Sequence, residues 1–250
     1  MISFIVPAYN EELELPATLE AIRAAAQHRK HEIIVVDDAS TDKTATIAQS
    51  AGVKLVSINR RQIAAARNAG ARASTGEILF FVDADTRINE KHVAGAVDAI
   101  EAGRPGGSAR IAIGGVVPTW ARISLKVFCV VYFALGLGAG AFLFTTRRDF
   151  DAVGGFDETL FIGEEVYFSL ALRKLGRLKI LREPVLTSGR KLRMYSAREV
   201  LGNTVRVLFR GPRAARSREG LHLWYDGKRE QRSAFAKCQS GSDIRRDEWI

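Results

Sequence analysis

The sequence predicts an α/β fold in which a mostly parallel sheet is flanked by helices. Short apolar runs rich in β-branched residues alternate with longer runs of helical periodicity from residue 2 to residue 117. The short runs, such as EIIVV at 32–36, are apolar almost throughout, which is typical of parallel strands covered by helices on both faces. The chain has 250 residues, 47% of them hydrophobic, so it is long enough for one large domain with a full core.

The first half carries the clearest signals for individual elements. Asn89 is a favourable cap for the helix after it, Gly52 is suited to end a helix, and Pro16 is tolerated in a first turn. Apolar runs without helical spacing indicate the strands. The sequence therefore predicts strands at residues 2–6, 32–36, 54–58, 77–82 and 110–117, and helices at 12–26, 41–50, 62–73 and 90–101.

The second half is less regular. An uncharged apolar run of 20 residues occupies 127–146, and its length alone would suit a membrane-spanning helix. Three glycines within it favour a buried helix that breaks before a strand at 141–146. The stretch GEEVYFSLALRKLG at 163–176 predicts a helix, and a short strand near 179–181 and a helix near 197–209 are expected to follow.

The charge balance limits the classes of partner. The chain has 37 basic and 28 acidic residues and a formal charge of +9, which suits a phosphorylated substrate, nucleic acid or an acidic membrane face. Its two cysteines, Cys129 and Cys238, form neither a disulfide framework nor a metal-binding pair, so we expect a cytoplasmic protein. The opening MISFIVPAYNEE lacks the features of a signal peptide and is interpreted as a first strand.

Three polar clusters follow predicted strands. PAYNEE lies at 7–12, DDASTD at 37–42 and DADT at 83–86. A single cluster of this kind would be an ordinary turn, because Asp, Asn and Ser favour turns and helix caps. The carboxyl ends of parallel strands meet at one edge of the sheet, where α/β proteins bind their ligands. The three clusters therefore predict one shared site.

Asp83 and Asp85 are candidate metal ligands. Two carboxylates together with two diphosphate oxygens form the oxygen-rich shell that Mg²⁺ or Mn²⁺ prefers, and Ala84 leaves room between them. Such a metal would neutralise a diphosphate and stabilise it as a leaving group. Taken alone, a pair with this spacing is more often a polar turn or a helix cap than a metal site.

No glycine-rich phosphate loop is present in the sequence. Neither the dinucleotide fingerprint GxGxxG nor the P-loop GxxxxGK[ST] follows the first strand. Metal and basic side chains would then have to hold phosphates, and Arg67 in AAARNAG is a candidate. The alternative is that Arg67 is an exposed arginine on the surface of its helix.

Six motifs, in order, resemble the family 2 glycosyltransferases, which are inverting enzymes with the GT-A fold. They are IVPAYNEE, VVDDASTDKT, AARNAG, FFVDADT, RRDFDAVGGFDE and GEEVYFSLALRKLG. The resemblance spans about residues 2–176, and agreement at six ordered places is far more specific than one short match.

The resemblance implies roles for individual residues. Asp38 would read the donor base, a uracil in many members, with Val36 beside it. Asp83 would lie near the ribose and phosphates, and Asp85 would bind the metal. The remaining substrate-binding positions implied are Pro7, Tyr9 and Glu11 in the nucleotide pocket, Arg67 and Ala84 beside the phosphates, and Gly154, Gly155 and Phe156 facing donor sugar and acceptor.

The family's general base is the second acid of a pair that opens a helix. Here the pair is Glu164-Glu165, so Glu165 corresponds to the base by position, and either acid could serve. In this mechanism the base takes the proton of an acceptor hydroxyl. The hydroxyl oxygen then attacks the anomeric carbon from the face opposite the nucleotide, with inversion. A QxxRW motif, which the polymer-forming members carry, is absent from the sequence, so we expect transfer of a single sugar.

With the resemblance, the chain divides into three parts. Residues 1–117 would bind the nucleotide sugar, 118–210 would form the acceptor and catalytic half of the same domain, and 211–250 is a basic tail. Two other functions stay open at this point: a nucleotidyltransferase on a similar sheet, and a nucleic-acid or other anionic-ligand binder without catalysis. The first would need a glycine-rich first turn in place of PAYNEE, and the second would need basic residues interleaved with stacking aromatics.

The resemblance also bears on the apolar run. If residues 127–146 crossed a bilayer once, DADT and GEEV would lie on opposite sides of it and could not share a site. We therefore expect the run to be buried, with an interfacial helix beside a lipid-linked acceptor as the alternative. The expected location is the cytoplasm, at the inner face of the membrane in the second case.

Overall fold

Eight strands form one continuous sheet in a computed structural model that describes residues 1–114, 132–133, 137–189 and 215–216. The strands are β1 (Ile2–Ala8), β2 (His31–Asp38), β3 (Lys54–Ile58), β4 (Ile78–Val82), β5 (Thr86–Arg87), β6 (Gly106–Gly114), β7 (Phe142–Thr146) and β8 (Lys179–Ser188). The helices are α1 (Leu15–Ala26), α2 (Thr44–Ser50), α3 (Ile63–Ala73), α4 (Glu90–Glu101), α5 (Arg147–Val153) and α6 (Glu164–Arg173). The mixed α/β fold predicted from the sequence is confirmed.

The sheet is mostly parallel, with two reversed strands in the described part of the chain. The strand order is β3-β2-β1-β4-β7-β6-β8-β5, and β1 pairs in parallel with both β2 and β4. β7 is antiparallel to β4 and to β6, and β5 is antiparallel to β8. Because β7 runs backwards, its first residues lie at the same edge as the carboxyl end of β4. The second half of the chain therefore reaches the edge where the polar clusters lie.

Helices cover both faces of the sheet. One apolar cluster lies between the sheet and α1, α2 and α4, and includes Phe4, Phe80, Phe142 and Phe144. The other lies between the sheet and α3, α5 and α6. In the second cluster the ring of Phe81 packs against three more phenylalanine rings, those of Phe150, Phe156 and Phe168. The strands are apolar on both sides because each side faces one of these clusters.

Most predicted elements have the expected positions, and two strands differ. The strand predicted at 110–117 begins earlier and is described as Gly106–Gly114, while residues 115–117 lie outside the described residues. Its paired glycines resemble a loop, but a Cβ on Gly107 would lie 2.0 Å from the Lys179 carbonyl oxygen, so the close approach of β8 requires glycine there. The strand predicted at 179–181 continues to Ser188. Leu181 pairs with Ala109 and Val185 pairs with Ile111, and the register shift between these two pairs accommodates Pro184.

The apolar run is partly described. Its expected strand at 141–146 is confirmed as β7, which is buried over most of its length. Residues 132–133 are helical, while 127–131 and 134–136 lie outside the described residues, as does the helix predicted at 197–209. Within the described ranges, we find no helix with the length and apolar character needed to cross a bilayer.

The edge beyond the first three strands contains strained backbone. Asn10, Ala39 and Arg61 have positive φ angles of 52°, 62° and 50°, and each lies just beyond β1, β2 or β3. Non-glycine residues adopt this left-handed conformation at a cost of about 1–3 kcal/mol each and persist where the surroundings hold them. Such strain is concentrated at functional sites, which supports this edge as the location of the site.

Candidate active site

The DADT segment follows directly from β4. Its residues form a turn, in which the Thr86 amide donates to the Asp83 carbonyl at 3.0 Å. The Ala84 side chain is 4% exposed in the apolar core, and the Ala84 carbonyl accepts a hydrogen bond of 2.6 Å from the Thr18 hydroxyl. The methyl group therefore lies in the core rather than in the space between the carboxylates. Asp83 and Asp85 are close enough that the charge of Asp85 contributes to the raised pKa of Asp83.

The two aspartates have different surroundings. The Asp83 amide donates to the Ala141 carbonyl at 3.1 Å, which fixes the strand end to the approach of β7. The Asp85 carboxylate accepts from the Thr187 hydroxyl at 3.3 Å, and its backbone carbonyl accepts from the Ser188 amide at 3.2 Å. The ends of β4, β7 and β8 therefore meet at this pair.

A buried arginine links the aspartates to the second half of the chain. Arg67 of α3 is 1% exposed, and its Nη1 donates to Glu164 Oε1 at 2.7 Å. Its Nη2 donates to Asp83 Oδ1 at 3.1 Å and to the Gly140 carbonyl at 2.9 Å. A Cβ at Gly140 would lie only 3.1 Å from Nη2, so glycine there allows the guanidinium to approach the backbone. The alternative of an exposed arginine is wrong, because the Arg67 side chain is buried and its terminal nitrogens donate to protein acceptors. Its role beside phosphates stays a prediction.

The cluster raises the pKa of two carboxyl groups. Burial raises the pKa of Asp83 to about 6, although the attraction of Arg67 opposes the shift. Burial and then repulsion from Glu164 raise the pKa of Glu165 to about 8, again against Arg67. Glu165 therefore carries a proton at neutral pH in the ligand-free protein, which is unusual for a glutamate and typical of groups that transfer protons.

The structure distinguishes the two acids that open α6. Glu164 is 4% exposed and its carboxylate is ion-paired with the Arg67 guanidinium. Glu165 is less buried, and its charge also acts on the Arg67 guanidinium. Of the two positions that the sequence left open, Glu164 is ion-paired with Arg67 and Glu165 has the raised pKa. The choice of Glu165 as the general base stays a prediction.

Asp38 organises the loop before α3. Its Oδ1 accepts from the amides of Arg60 at 2.7 Å and Arg61 at 2.8 Å, and its Oδ2 accepts from the amide of Gln62 at 2.7 Å. The Arg61 guanidinium then lies over the Tyr9 ring, 3.5 Å from its centroid. A carboxylate has about four acceptor positions, so three amides leave one for a ligand.

Three other positions predicted for the nucleotide pocket are buried. Pro7 lies in β1, and Val36 is fully buried in the core cluster beneath α3. Glu11 is 7% exposed, and its amide donates to the Thr44 hydroxyl at 2.8 Å. The side chain of Val36 therefore shapes the pocket from beneath rather than lining an open surface.

The GGF segment is held by α3. The Asn68 side chain donates to the Phe156 carbonyl at 2.8 Å and accepts from the Phe156 amide at 2.9 Å. The Phe156 ring is 2% exposed and stacks on Phe168 at 4.2 Å. Gly154 ends α5 with a φ of 80°, a conformation that glycine adopts without strain. The two glycines therefore lie at the surface and Phe156 anchors them.

Sequence reasoning missed three residues that shape the site: Gln62, Asn68 and Arg61. The Gln62 side chain donates to the Glu158 and Leu160 carbonyls at 2.6 and 3.0 Å, close to the Asn68 contacts. Asn68 is next to Arg67 in AARNAG, so two adjacent polar residues in an alanine-rich helix were the available signal. Nothing in the sequence around Arg61 indicates that its guanidinium lies over Tyr9.

The oxygen donors of Asp83 and Asp85 suit Mg²⁺ or Mn²⁺. Among the described residues there is no group of three or more potential protein ligands, so any ion here would need oxygens from a substrate. One Asp83 oxygen accepts from Arg67 and one Asp85 oxygen accepts from Thr187, so each carboxylate is positioned by a side-chain donor. The pair therefore fits a hard divalent cation shared with a diphosphate.

We predict that Arg67→Met destabilises the fold strongly, because it leaves the Glu164 and Asp83 carboxylates without their cation. Removing one partner of a buried ion pair costs about 3–5 kcal/mol in free energy of unfolding, measurable by urea denaturation. Arg72→Met on the same helix is the matched control, since that side chain is 68% exposed and its ion pair with Glu158 is long, at 3.8 Å. The control should change stability by about 0.5 kcal/mol or less. Equal losses for the two variants would contradict a bridging role for Arg67.

We also predict a pH-dependent stability difference between the natural protein and Glu165→Gln. The folded protein keeps Glu165 protonated up to about pH 8, while its pKa is 4.5 without these interactions. Between those values the unfolded chain binds fewer protons, so the Glu165 contribution to the free energy of unfolding falls as pH rises. Glutamine cannot ionise, so the variant should gain stability relative to the natural protein over this range. The free energies of unfolding of the two proteins are measured by urea denaturation from pH 5 to pH 8. A difference between them that does not change with pH would refute the raised pKa of Glu165.

Comparison with known proteins gives consistent results. Residues 3–154 match the family model described as "Glycosyl transferase family 2". A Staphylococcus haemolyticus 4,4'-diaponeurosporenoate glycosyltransferase is 36% identical over 103 residues, covering 38% of this chain and 27% of that protein. A Pseudomonas fluorescens undecaprenyl-phosphate 4-deoxy-4-formamido-L-arabinose transferase is 35% identical over 111 residues, covering 41% and 33%. The matches therefore span about a third or less of these curated relatives.

Solved structures show the same fold. The crystal structure of S. aureus TarS 1-349 in complex with UDP matches with a TM-score of 0.59 at 20% identity, covering 83% of this chain and 64% of that one. The TarS complex with UDP-GlcNAc matches with a TM-score of 0.58 and covers 89% and 69%. At this identity the likeness concerns the fold. Since the family profile covers more than half of the residues, the chain belongs to glycosyl transferase family 2.

Proposed function

We propose that this protein transfers one sugar from a nucleotide-diphosphate sugar, with uridine as the favoured base, to an acceptor hydroxyl with inversion. The observation that carries the proposal is the Arg67 bridge, whose guanidinium contacts Asp83 beside the donor motif and Glu164 beside the candidate base. Donor-binding and proton-accepting groups thereby share one edge of the sheet, as a displacement at an anomeric carbon requires.

The nucleotide would bind at the ends of β1 and β2. The Asp38 carboxylate keeps one acceptor position after its three amide bonds, which suits the imino N–H of a uracil. The ring of Tyr9 and the guanidinium of Arg61 provide flat surfaces beside it. The similar TarS protein has been crystallised with UDP and with UDP-GlcNAc, which supports a uridine-linked donor.

A Mg²⁺ or Mn²⁺ ion held by Asp83 and Asp85 would neutralise charge on the diphosphate leaving group. The chain's own contribution is the placement of those carboxylates. The turn at Ala84 follows β4, Arg67 holds Asp83, and Thr187 contacts Asp85. Arg67 also lowers the repulsion between Asp83 and the α6 acids before any substrate arrives.

Glu165 is the proposed general base. Once deprotonated, its carboxylate accepts the proton of the acceptor hydroxyl as that oxygen forms a bond to the anomeric carbon. The bond from the anomeric carbon to the diphosphate oxygen breaks with its electron pair, so the diphosphate leaves and configuration inverts. A raised pKa makes Glu165 a better proton acceptor than an ordinary glutamate, and general base catalysis contributes about 10²–10⁴-fold.

The acceptor is proposed to be lipid-linked. The Pseudomonas fluorescens relative is named for transfer involving undecaprenyl phosphate, and the Staphylococcus haemolyticus relative for 4,4'-diaponeurosporenoate. Both names indicate acceptors with long apolar chains. The surplus of nine positive charges is compatible with work near an acidic membrane face.

We predict that UDP-sugars raise the melting temperature of the protein and that Mn²⁺ increases the shift. A ligand that binds only the folded state stabilises it by RT ln(1 + [L]/Kd), so the shift grows with ligand concentration and affinity. Asp85→Ala should abolish the Mn²⁺-dependent part while keeping the melting temperature of the ligand-free protein, since Asp85 is partly exposed. Asp98→Ala, on the exposed side of α4, is the control and should keep the full shift. Absence of a shift with every nucleotide sugar would refute the proposed function.

We predict that Glu165→Gln lowers kcat for sugar transfer by about 10²-fold or more with little effect on donor affinity, because the group acts on the acceptor proton. Glu164→Gln should instead weaken folding, since it removes a carboxylate from Arg67. Single-turnover transfer and urea denaturation on both variants separate the two roles. Full transfer by Glu165→Gln protein would exclude Glu165 as the base.

A further inference from the structure

The described surface has one concentration of exposed apolar side chains. Four large hydrophobic residues in the described ranges are exposed: Met1 at 39%, Tyr167 at 41%, Leu170 at 43% and Leu175 at 49%. Three of these four lie within nine consecutive residues of α6 and the turn after it. Scattered exposed leucines are ordinary, but a cluster on one element indicates a contact surface.

The apolar residues share one face of the helix. Tyr167 and Leu170 are three residues apart, which places both on one side of α6, and Lys174 and Leu175 follow in the turn after the helix. The opposite side carries Phe168 and Leu172, each 2% exposed in the core. The helix is therefore packed on one side, and its other side has apolar side chains facing out.

The charge around this face has one sign. Residues 166–182 contain five basic side chains and no acidic one, although the chain as a whole has 28 acidic residues. Arg173, Lys174, Arg177 and Lys179 are exposed. A combination of outward apolar residues with flanking Lys and Arg is the pattern of segments that lie in the interface of an acidic bilayer.

The position of the face relates it to the site. Tyr167 follows Glu165 by two residues, a rise of about 3 Å along the helix. From Tyr167 to Leu175 the face extends about 12 Å. A flat surface contacting this face would lie beside the opening of α6, where the proposed base is.

We propose that one outer surface docks on an anionic lipid bilayer. It is formed by Tyr167 and Leu170 on the outer face of α6 and by Lys174 and Leu175 in the turn after it. The charge of the segment selects this occupant, because an uncharged protein groove would not require five bases without an acid. Docking presents the α6 end of the site to the membrane surface. Delivery of a lipid-linked acceptor to Glu165 rests on the proposed function, whereas lipid binding itself does not.

Co-sedimentation with vesicles tests the docking face. The probe is vesicles of equal parts phosphatidylglycerol and phosphatidylcholine at low salt, with pure phosphatidylcholine vesicles for comparison. The natural protein should sediment with the anionic vesicles, and Tyr167→Ser/Leu170→Ser/Leu175→Ser should bind at least about tenfold more weakly with an unchanged melting temperature. These side chains are exposed, so their replacement should spare folding. Failure of the natural protein to bind, or equal binding by the triple variant, would overturn the proposal.

A matched pair of charge variants separates this face from the general positive charge. Lys174→Gln/Arg177→Gln should reduce binding to the anionic vesicles several-fold. Arg29→Gln/Lys30→Gln removes the same charge from exposed residues after α1 and should leave binding within about twofold. Equal losses for the two pairs would mean that only net charge matters and would refute the docking face.

Two further measurements complete the test. If the natural protein is a dimer in sedimentation velocity and the triple serine variant is a monomer, the face joins two copies and the lipid proposal is wrong. The UDP-sugar thermal shift should be the same for the triple variant and the natural protein, because the face is separate from the nucleotide pocket. If vesicle binding fails but UDP-sugars still raise the melting temperature, the docking proposal is wrong and the proposed function stands. If vesicle binding succeeds but UDP-sugars do not raise the melting temperature, only the proposed function is refuted.

Discussion

The buried guanidinium of Arg67 is the interaction on which the arrangement of this site depends. A charge taken out of water must be paired, and Asp83, Glu164 and the Gly140 carbonyl provide the pairing from three separate segments. None of these acceptors could move far without leaving the arginine unsatisfied. The cation also limits how far three neighbouring acids repel one another. The geometry of the sheet edge and its electrostatics are therefore two aspects of the same contact.

Helix α3 extends this control to the rest of the site. Its first turn is held by Asp38, its middle holds Asp83 and Glu164 through Arg67, and Asn68 holds the backbone of Phe156. Each contact joins the strand-helix half of the chain to a segment from the second half or to a neighbouring strand end. The helix is buried along most of its length, because the sheet covers one side and the Phe156 segment and α6 cover the other.

Sequence patterns predicted the strand-helix alternation and the edge of the sheet where the polar clusters meet, because both follow from local signals and from the geometry of parallel strands. The bounds of β3 and the Asn89 cap are local and were readable. The reversed direction of β7 was not, since an apolar run carries no sign of its direction. The burial of Arg67 was hidden too: an alanine-rich helix lacks a polar stripe, so periodicity does not show which side faces the protein.

The long sequence separation within the Arg67 bridge has a consequence for how the protein is made. Asp83 is 16 residues from Arg67, whereas Glu164 is 97 residues away. At synthesis rates of about 5–20 residues per second, the roughly 80 residues between the two acids take roughly 4–16 seconds to appear on the ribosome. Throughout that interval the arginine has one of its two carboxylates, and for most of it β4 also lacks its neighbour β7, which ends at Thr146. The nascent first half therefore has an incompletely neutralised charge for longer than it has an open strand edge, and the site is completed only after β7 is available to the sheet.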